Sequence, residues 1–491
     1  MTKRIFILGG GTAGWLTALL IQKRYPEVSI ELLESEEIGV LGAGESTLFS
    51  FKIALQELGI DEFDFMRNTK ATFKMGSRYD EWNGDTDYHY STTHWWHPSI
   101  NPEAYGGTHS EYHTYLFANG IDTKTRGMAK IALAEKSPFI LRNDKLEKIN
   151  DYTFHINAKL TAQYFRKIAE ERGVVRHEGK AIKINGVNNI ESVEDDKGRT
   201  HTFDFIFDCS GFARLIIGKH LQTKWIDYTN SFFVDSAIPF FIDNVGQEIP
   251  PYSRSSAMDY GWRFKIPTQD RYGSGYIFDS TLIDVEDAKK ELIQKVGHDV
   301  EILKHFKFKA GVYEKVWQGN CIAFCLAGGF LEPMTASNIT SMITQLDFIG
   351  NNLFTKDESF KKQFNQKTIH MYDTFARWIF LHYQGKRSGT KFWDKVRNEN
   401  SAPKDFHNSL NKCLVENGFD VDMMTQYFTI PADKIISVLQ SYNMYQEQAK
   451  EKCQRLQLNE KYDRIDKEIV KNTETLLKYS IGHREFLTKY L

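Results

Sequence analysis

The sequence predicts a mixed α/β fold built on a parallel, doubly wound sheet, and three observations predict it. The apolar run Arg4-Ile5-Phe6-Ile7-Leu8 enters Gly9-Gly10-Gly11-Thr12-Ala13-Gly14-Trp15 and then an apolar helix. A second apolar run, Val28 to Leu33, ends in Glu34, and a third, Phe203 to Asp208, ends in Cys209-Ser210-Gly211. Strand, glycine turn, helix and strand in this order form a Rossmann-type dinucleotide-binding unit. Gly9 permits the tight turn, Gly11 lets backbone approach a pyrophosphate, and Gly14 allows close helix packing, while Thr12 and Ala13 open the helix whose N–H groups face the phosphates. Glu34 lies about twenty residues past the last glycine, where an acid binds a ribose 2′-OH; this favours FAD or NAD over NADP.

The remaining elements follow in order. Gly42-Ala43-Gly44-Glu45-Ser46-Thr47 is a second glycine-rich turn before a helix, and Gly44, Glu45 and Ser46 join the candidate cofactor residues. Residues 85–150 show little helical periodicity but many aromatic and histidine residues, among them His89, His94, Trp95, Trp96, His97, His109 and His113; they read as long loops and irregular strands near a site. Asn157 caps a helix that Gly173 ends, with Leu160, Tyr164, Phe165 and Ile168 recurring on one face. Asp208 and Gly211 close the strand that returns to the sheet beside the cofactor. Ile238–Ile242, Gly261–Ile266, Gly275–Phe278 and Cys321–Leu326 read as an inserted antiparallel sheet. From Ser337 the pattern is helical, with a long helix near Asp357–His382 and charged amphipathic helices from Ala432 onward. The expected division is therefore residues 1–355, the core with its inserted sheet, and residues 356–491, an all-helical unit.

With 491 residues, 41% of them hydrophobic, the chain can bury a large core, and a formal net charge of -2 offers no basic stripe for nucleic acid. The five cysteines form no CxxC pair and read as reduced structural thiols. No metal-ligand spacing is read. The first strand starts almost at Met1 and no apolar run reaches membrane length, so the expectation is a soluble cytoplasmic protein without a membrane partner, and a homo-oligomer is allowed.

Three segments resemble the flavin-dependent halogenases of the tryptophan halogenase family. Gly9-Gly10-Gly11-Thr12-Ala13-Gly14-Trp15 is similar to the family's FAD-binding opening. Gly261-Trp262-Arg263-Phe264-Lys265-Ile266-Pro267 resembles its GWxWxIP signature, with Phe264 in place of the second Trp. Ala71-Thr72-Phe73-Lys74 places a lysine where the family keeps its catalytic lysine. The similarity continues through Asp208-Cys209-Ser210-Gly211, Arg271-Tyr272-Gly273-Ser274-Gly275-Tyr276 and Phe330-Leu331-Glu332-Pro333, over roughly residues 1–395.

The resemblance implies a two-component enzyme: a separate flavin reductase supplies FADH2, O2 and halide are turned into hypohalous acid, and Lys74 passes the halogen to an electron-rich aromatic small molecule. The chain's single dinucleotide fingerprint agrees with an external source of reduced flavin. In Glu332-Pro333-Met334-Thr335-Ala336-Ser337-Asn338 the family's catalytic glutamate is replaced by Thr335, its serine by Ala336 and its glycine by Asn338. Losing a preorganised charge costs on the order of 100- to 1000-fold, so either the substrate is more activated than an indole benzo ring or another acceptor serves. N–H groups at Ser337 and Asn338 are candidates to hold the halide at a helix N-terminus, and helix capping by Thr335 or Ser337 is the structural alternative. His89 falls near a substrate-stacking histidine of the family, with a backbone-satisfied loop histidine as the alternative. With Trp262 and Phe264 it forms the substrate-side set, in which the resemblance places Trp262 between flavin and substrate. The altered halide segment predicts bromide or iodide over chloride. Two other readings stay open: an FAD-dependent aromatic monooxygenase, and a catalytically idle flavin-binding protein.

Overall fold

The computed structural model describes residues 2–39, 42, 44–91, 97–399 and 401–491; His94, Trp95, Trp96 and Ala43 of the sequence reading lie outside them. Contacts divide the chain into two compact units, Met1–Ala71 with Ile156–Thr229 and Lys309–Tyr372, and Thr72–His155 with Asn230–Phe308 and Asp373–Leu491. These units interleave along the chain, where the sequence reading draws one boundary at 355/356.

The first unit is built on a six-stranded sheet. Its order is Val175–Glu178, β2 (Ser29–Glu34), β1 (Arg4–Leu8), Phe205–Asp208, Cys321–Ala323 and Trp317–Gln318, and all neighbours but the last pair run parallel. Ile5, Phe6, Ile7 and Leu8 are all buried, as a central parallel strand covered on both faces requires. The helix α1 (Thr12–Arg24) follows directly, buried along Trp15–Ile21. Cys321–Leu326 is thus corrected: Cys321–Ala323 extends the parallel sheet. A strand buried on both faces shows an unbroken apolar run, which does not say which sheet it joins.

Asn157 does cap Ala158–Glu171, accepting the Leu160 N–H, and Gly173 follows with φ +95°. The fully buried stripe is Ala158, Thr161, Ala162, Phe165 and Ala169; Leu160, Tyr164 and Ile168 are half-buried beside it. Small residues let this helix lie close to α1, where Thr12 Oγ1 donates to the Ala158 carbonyl at 3.2 Å.

The second unit carries an eight-stranded sheet in which Glu301–Ile302, Ser236–Asp243, Arg271–Phe278, Gly261–Pro267, Tyr252–Met258, Gly76–Asn83 and Thr86–Ser91 follow one another, and Phe306–Lys307 also pairs with Ser236–Asp243. All pairs are antiparallel except Tyr252–Met258 with Gly76–Asn83. Residues 85–150 are more regular than their pattern suggests, containing the helices His109–Ala118 and Gly127–Leu133 and the strand Lys136–Arg142. All but two residues of His109–Ala118 are buried, and a helix covered all round has no amphipathic stripe to read. The C-terminal region is helical apart from Ser480–Gly482, which pairs with Lys136–Arg142. All five cysteines are buried and free. No helix among the described residues is long and apolar enough to cross a membrane.

Candidate active site

In the first unit the glycines at the end of β1 divide their work. Gly9 adopts φ +118°, and a Cβ there would overlap the Cys209 carbonyl. A Cβ at Gly14 would overlap the Gly9 carbonyl oxygen. Gly11, the N-cap of α1, has no atom of the described residues within 4 Å of where its Cβ would lie, so none of them explains its lack of a side chain. The first turn of α1 has no side-chain cap and no acidic residue, and Ala13 is half-exposed there. Free N–H groups, the positive end of a helix dipole and open space above a glycine fit a pyrophosphate.

Glu34 ends β2 half-buried, held by Arg176 Nε at 2.6 Å and Trp15 Nε1 at 3.2 Å. Trp15 of the fingerprint thus orients the candidate ribose acid. Gly44 has φ +117°; Glu45 beside it is half-buried, and desolvation pushes its carboxyl up to about 7, while Ser46 is half-buried next to it. Gly211 turns with φ +64°. Asp208 is different. Its buried carboxylate accepts from Ser210 N at 3.0 Å, Ser210 Oγ at 2.6 Å, Ile216 N at 2.9 Å and Ile217 N at 3.2 Å. Four donors fill a carboxylate's capacity, so Asp208 shapes the turn after its strand and presents no spare oxygen.

Glu332 and Thr335 are 2% and 8% exposed. Thr335 Oγ1 has no hydrogen-bond partner among the described residues. Ala336, with φ 54°, is the N-cap of the helix Ser337–Ile349, and no side chain caps this helix; capping by Thr335 or Ser337 is not what the structure shows. Ser337 is buried as its first residue. The Asn338 carbonyl accepts from Ser341 Oγ at 2.7 Å and faces Cys325 Sγ at 3.2 Å. Thr17 of α1 reaches Met342 of this helix at 3.1 Å, so the two uncapped helices touch.

In the second unit Lys74 is 2% exposed, and desolvation pulls its amine down to about 7. The strand Thr72–Lys74 is buried at all three residues, with Phe73 packed against Tyr152, Phe139 and Phe486. Beside it His155 is held between Thr72 Oγ1 at 3.3 Å and Ser253 Oγ at 3.1 Å. Thr72 spends its proton on the Pro267 carbonyl at 2.6 Å, so His155 carries its proton on Nδ1 and accepts at Nε2. Burial first, then the Lys74 charge, holds His155 well below its ordinary range. A neutral imidazole here adds no positive charge against the amine. Nothing in the sequence near Lys74 announces His155 or Ser253, which arrive from remote strands.

Trp262 is fully buried and donates to Tyr383 Oη at 3.0 Å. Phe264 lies 6.3 Å from it, over Gly275, where a Cβ would meet the Phe264 ring. His89 is corrected from a loop residue to a strand residue, 1% exposed, with neither ring nitrogen hydrogen-bonded among the described residues and its basicity lowered to about 3 by burial. The register aligns His89 with Arg78, Arg254 and Lys265, but Phe264 with Ser255 and Tyr79. Successive residues of a strand face opposite ways, so His89 is separated by the sheet from Trp262 and Phe264. The substrate-side set does not converge on one face.

The glycine cradle and the Trp15-oriented acid fit a dinucleotide cofactor. The tryptophan halogenase family model matches residues 4–456, beyond the sequence resemblance over roughly residues 1–395, and the chain belongs to this family. It is 25% identical over 472 residues to tryptophan 6-halogenase SttH of Streptomyces toxytricini, covering 89% of this chain and 88% of that one. It is 28% identical over 421 residues to tryptophan 7-halogenase RebH of Lentzea aerocolonigenes, covering 79% and 78%. Its fold matches that of BrvH, a flavin-dependent halogenase from Brevundimonas sp. BAL3, with a TM-score of 0.80 at 23% identity over 99% of both chains. The chain is accordingly a flavin-dependent halogenase whose cofactor is FAD, supplied reduced by a separate flavin reductase.

Proposed function

We propose that this halogenase acts on electron-rich aromatic small molecules such as phenols, indoles or pyrrole-like rings, with bromide and iodide favoured over chloride. The observation that carries the reading is the buried amine of Lys74. Gly9, Gly11, Thr12, Ala13 and Gly14 would hold the pyrophosphate, Glu34 the ribose, and Gly44, Glu45, Ser46 and Gly211 the rest of FAD, with Asp208 shaping the adjoining turn. When bound and reduced, the flavin with O2 supplies the oxidising equivalents that convert halide to hypohalous acid.

Lys74 then acts in one of two protonation states. An ordinary lysine is neutral in only about one molecule in a few thousand at pH 7, whereas an amine near pKa 7 is neutral in about half. The neutral amine attacks the halogen of hypohalous acid to give a haloamine and water; the ammonium polarises it by donating an N–H. Burial makes both forms accessible at one pH.

Halide is assigned to the N-terminus of Ser337–Ile349, at the Ser337 and Asn338 N–H groups beside the Thr335 hydroxyl. With no carboxylate at position 335, an arenium cation forming on the substrate receives less stabilisation, which restricts the enzyme to activated rings. Chloride is the most strongly hydrated of the three halides and the hardest to oxidise, so Ala336 and Asn338 in place of a hydroxyl donor and a glycine disfavour it. Trp262 and Phe264 are proposed to shield the substrate from direct oxygenation.

The test incubates the protein with FAD, a flavin reductase, NADH, equimolar chloride, bromide and iodide and an activated phenol or indole, with a scavenger of free hypohalous acid and an enzyme-free control. Brominated or iodinated product is expected, and Lys74→Ala should lower it by on the order of 1000-fold while FAD binding is unchanged. Oxygenated product without halide would point to a monooxygenase, peroxide alone to an idle flavoprotein, and mainly chlorinated product would overturn the halide assignment.

A further inference from the structure

Three side chains remote in sequence meet on the first unit, where the antiparallel sheet Ala181–Asn185, Ser192–Asp195 and Thr200–Thr202 adjoins the parallel one. They are Glu31 of β2, His177 of the edge strand and His201 of Thr200–Thr202, whose ring stacks on Phe6 of β1 at 4.9 Å. Each offers one ligand atom, and these atoms lie within 4.8 Å of one another. His177 Nε2 is 2.8 Å from Glu31 Oε2, and His201 Nδ1 is 3.7 Å from the same oxygen.

The fourth partner fixes the chemistry. Asp195, fully buried, accepts from the N–H groups of Lys197 at 2.9 Å and Arg199 at 3.0 Å and from Arg199 Nε at 2.6 Å. A carboxylate so held is ionised, and it faces His201 Nε2 at 2.9 Å, so the imidazole proton sits on Nε2. The ring then turns its Nδ1 toward the Glu31 carboxylate, 3.7 Å away. The Glu31 carboxylate thus meets two imidazole nitrogens, one of them at hydrogen-bond distance, and three potential ligand atoms gather within 4.8 Å of one another.

We propose that Glu31, His177 and His201 form a binding site for a borderline divalent transition metal, Zn2+ foremost. Its ligands are Glu31 Oε2, His177 Nε2 and His201 Nδ1, and Asp195 orients His201 through Nε2–H, the arrangement that fixes tautomer and ring angle in histidine metal sites. His177 takes the tautomer protonated at Nδ1. The Glu31 and His177 side chains are 38% and 20% exposed, which leaves an entry path and room for a water as fourth ligand. The metal pins the antiparallel sheet to β2 and to the edge strand, a structural role independent of the halogenation reading. Because the ligands come from three strands with no sequence spacing, the cluster has no motif by which to be recognised.

The experiment titrates chelator-treated full-length protein with ZnCl2 by calorimetry and with Co2+ by visible absorption. Saturable binding of one Zn2+ per chain is expected, with a raised melting temperature and Co2+ ligand-field bands. His177→Ala and His201→Ala should abolish it, and Asp195→Asn should weaken it about 10- to 100-fold. If His201→Ala does not fold, His177→Ala and Glu31→Gln, at partly exposed positions, decide. No saturable binding to the wild-type chain, or wild-type affinity in His177→Ala and Glu31→Gln, overturns the site and leaves a proton as the shared cation.

Discussion

At Gly9–Thr12 and at Leu331–Ser337 the first unit turns from extended chain into a helix whose leading N–H groups receive no side-chain cap, and the two turns fill that place differently. The first is stripped bare: Gly11 has no atom of the described residues within 4 Å of where a Cβ would lie, and α1 has no side-chain cap and no acid in its own first turn. The second is dressed, with a buried Thr335 hydroxyl and with Ala336 in the left-handed region that costs a residue with a Cβ about 1–2 kcal/mol. A large polyanion such as a pyrophosphate needs clearance more than contacts, because backbone N–H groups and the helix dipole already supply the attraction. A single small halide, as proposed for the second turn, needs enclosure, which a buried hydroxyl and a tight left-handed backbone would supply.

Four substitutions sharpen or break this contrast. Gly14→Ala carries the largest effect, because its Cβ would overlap the rigid Gly9 carbonyl; a loss of about 3 kcal/mol in urea unfolding is expected. If stability is unchanged, Gly14 is not the packing glycine. Gly11→Val should instead keep the fold while lowering FAD affinity by on the order of 100-fold, about 2.7 kcal/mol, measured by flavin fluorescence titration. Wild-type affinity would remove the pyrophosphate from this turn.

At the second turn, Thr335→Val deletes a hydroxyl that has no hydrogen-bond partner among the described residues, so the fold should hold or gain slightly. The bromide concentration for half-maximal rate should rise about tenfold, the worth of a hydrogen bond to an ion. An unchanged bromide dependence would detach Thr335 from the halide. The smallest effect is expected from Ala336→Gly, which relieves the left-handed strain and stabilises by about 0.5–1 kcal/mol after the added chain entropy of glycine. Destabilisation would mean that the methyl group packs better than its backbone angle costs.

Sequence and tertiary structure divided the rest between them along a physical line. The β1–α1 turn, the Asn157-capped helix and the parallel strand at Phe205–Asp208 were legible because sterics, capping and burial pattern act over a few neighbouring residues. The helix His109–Ala118 was not, since burial on every side erased its period. Lys74 was legible as a position, but its lowered basicity was not, because desolvation comes from Thr153–Ile156 and other strands far along the chain. Likewise, only pairing register put His89 on the opposite face from Trp262 and Phe264, only folding filled the Asp208 carboxylate with four donors, and only the meeting of two sheets gathered Glu31, His177 and His201. Local covalent geometry is written residue by residue, whereas solvent exclusion and the facing of side chains belong to the assembled fold.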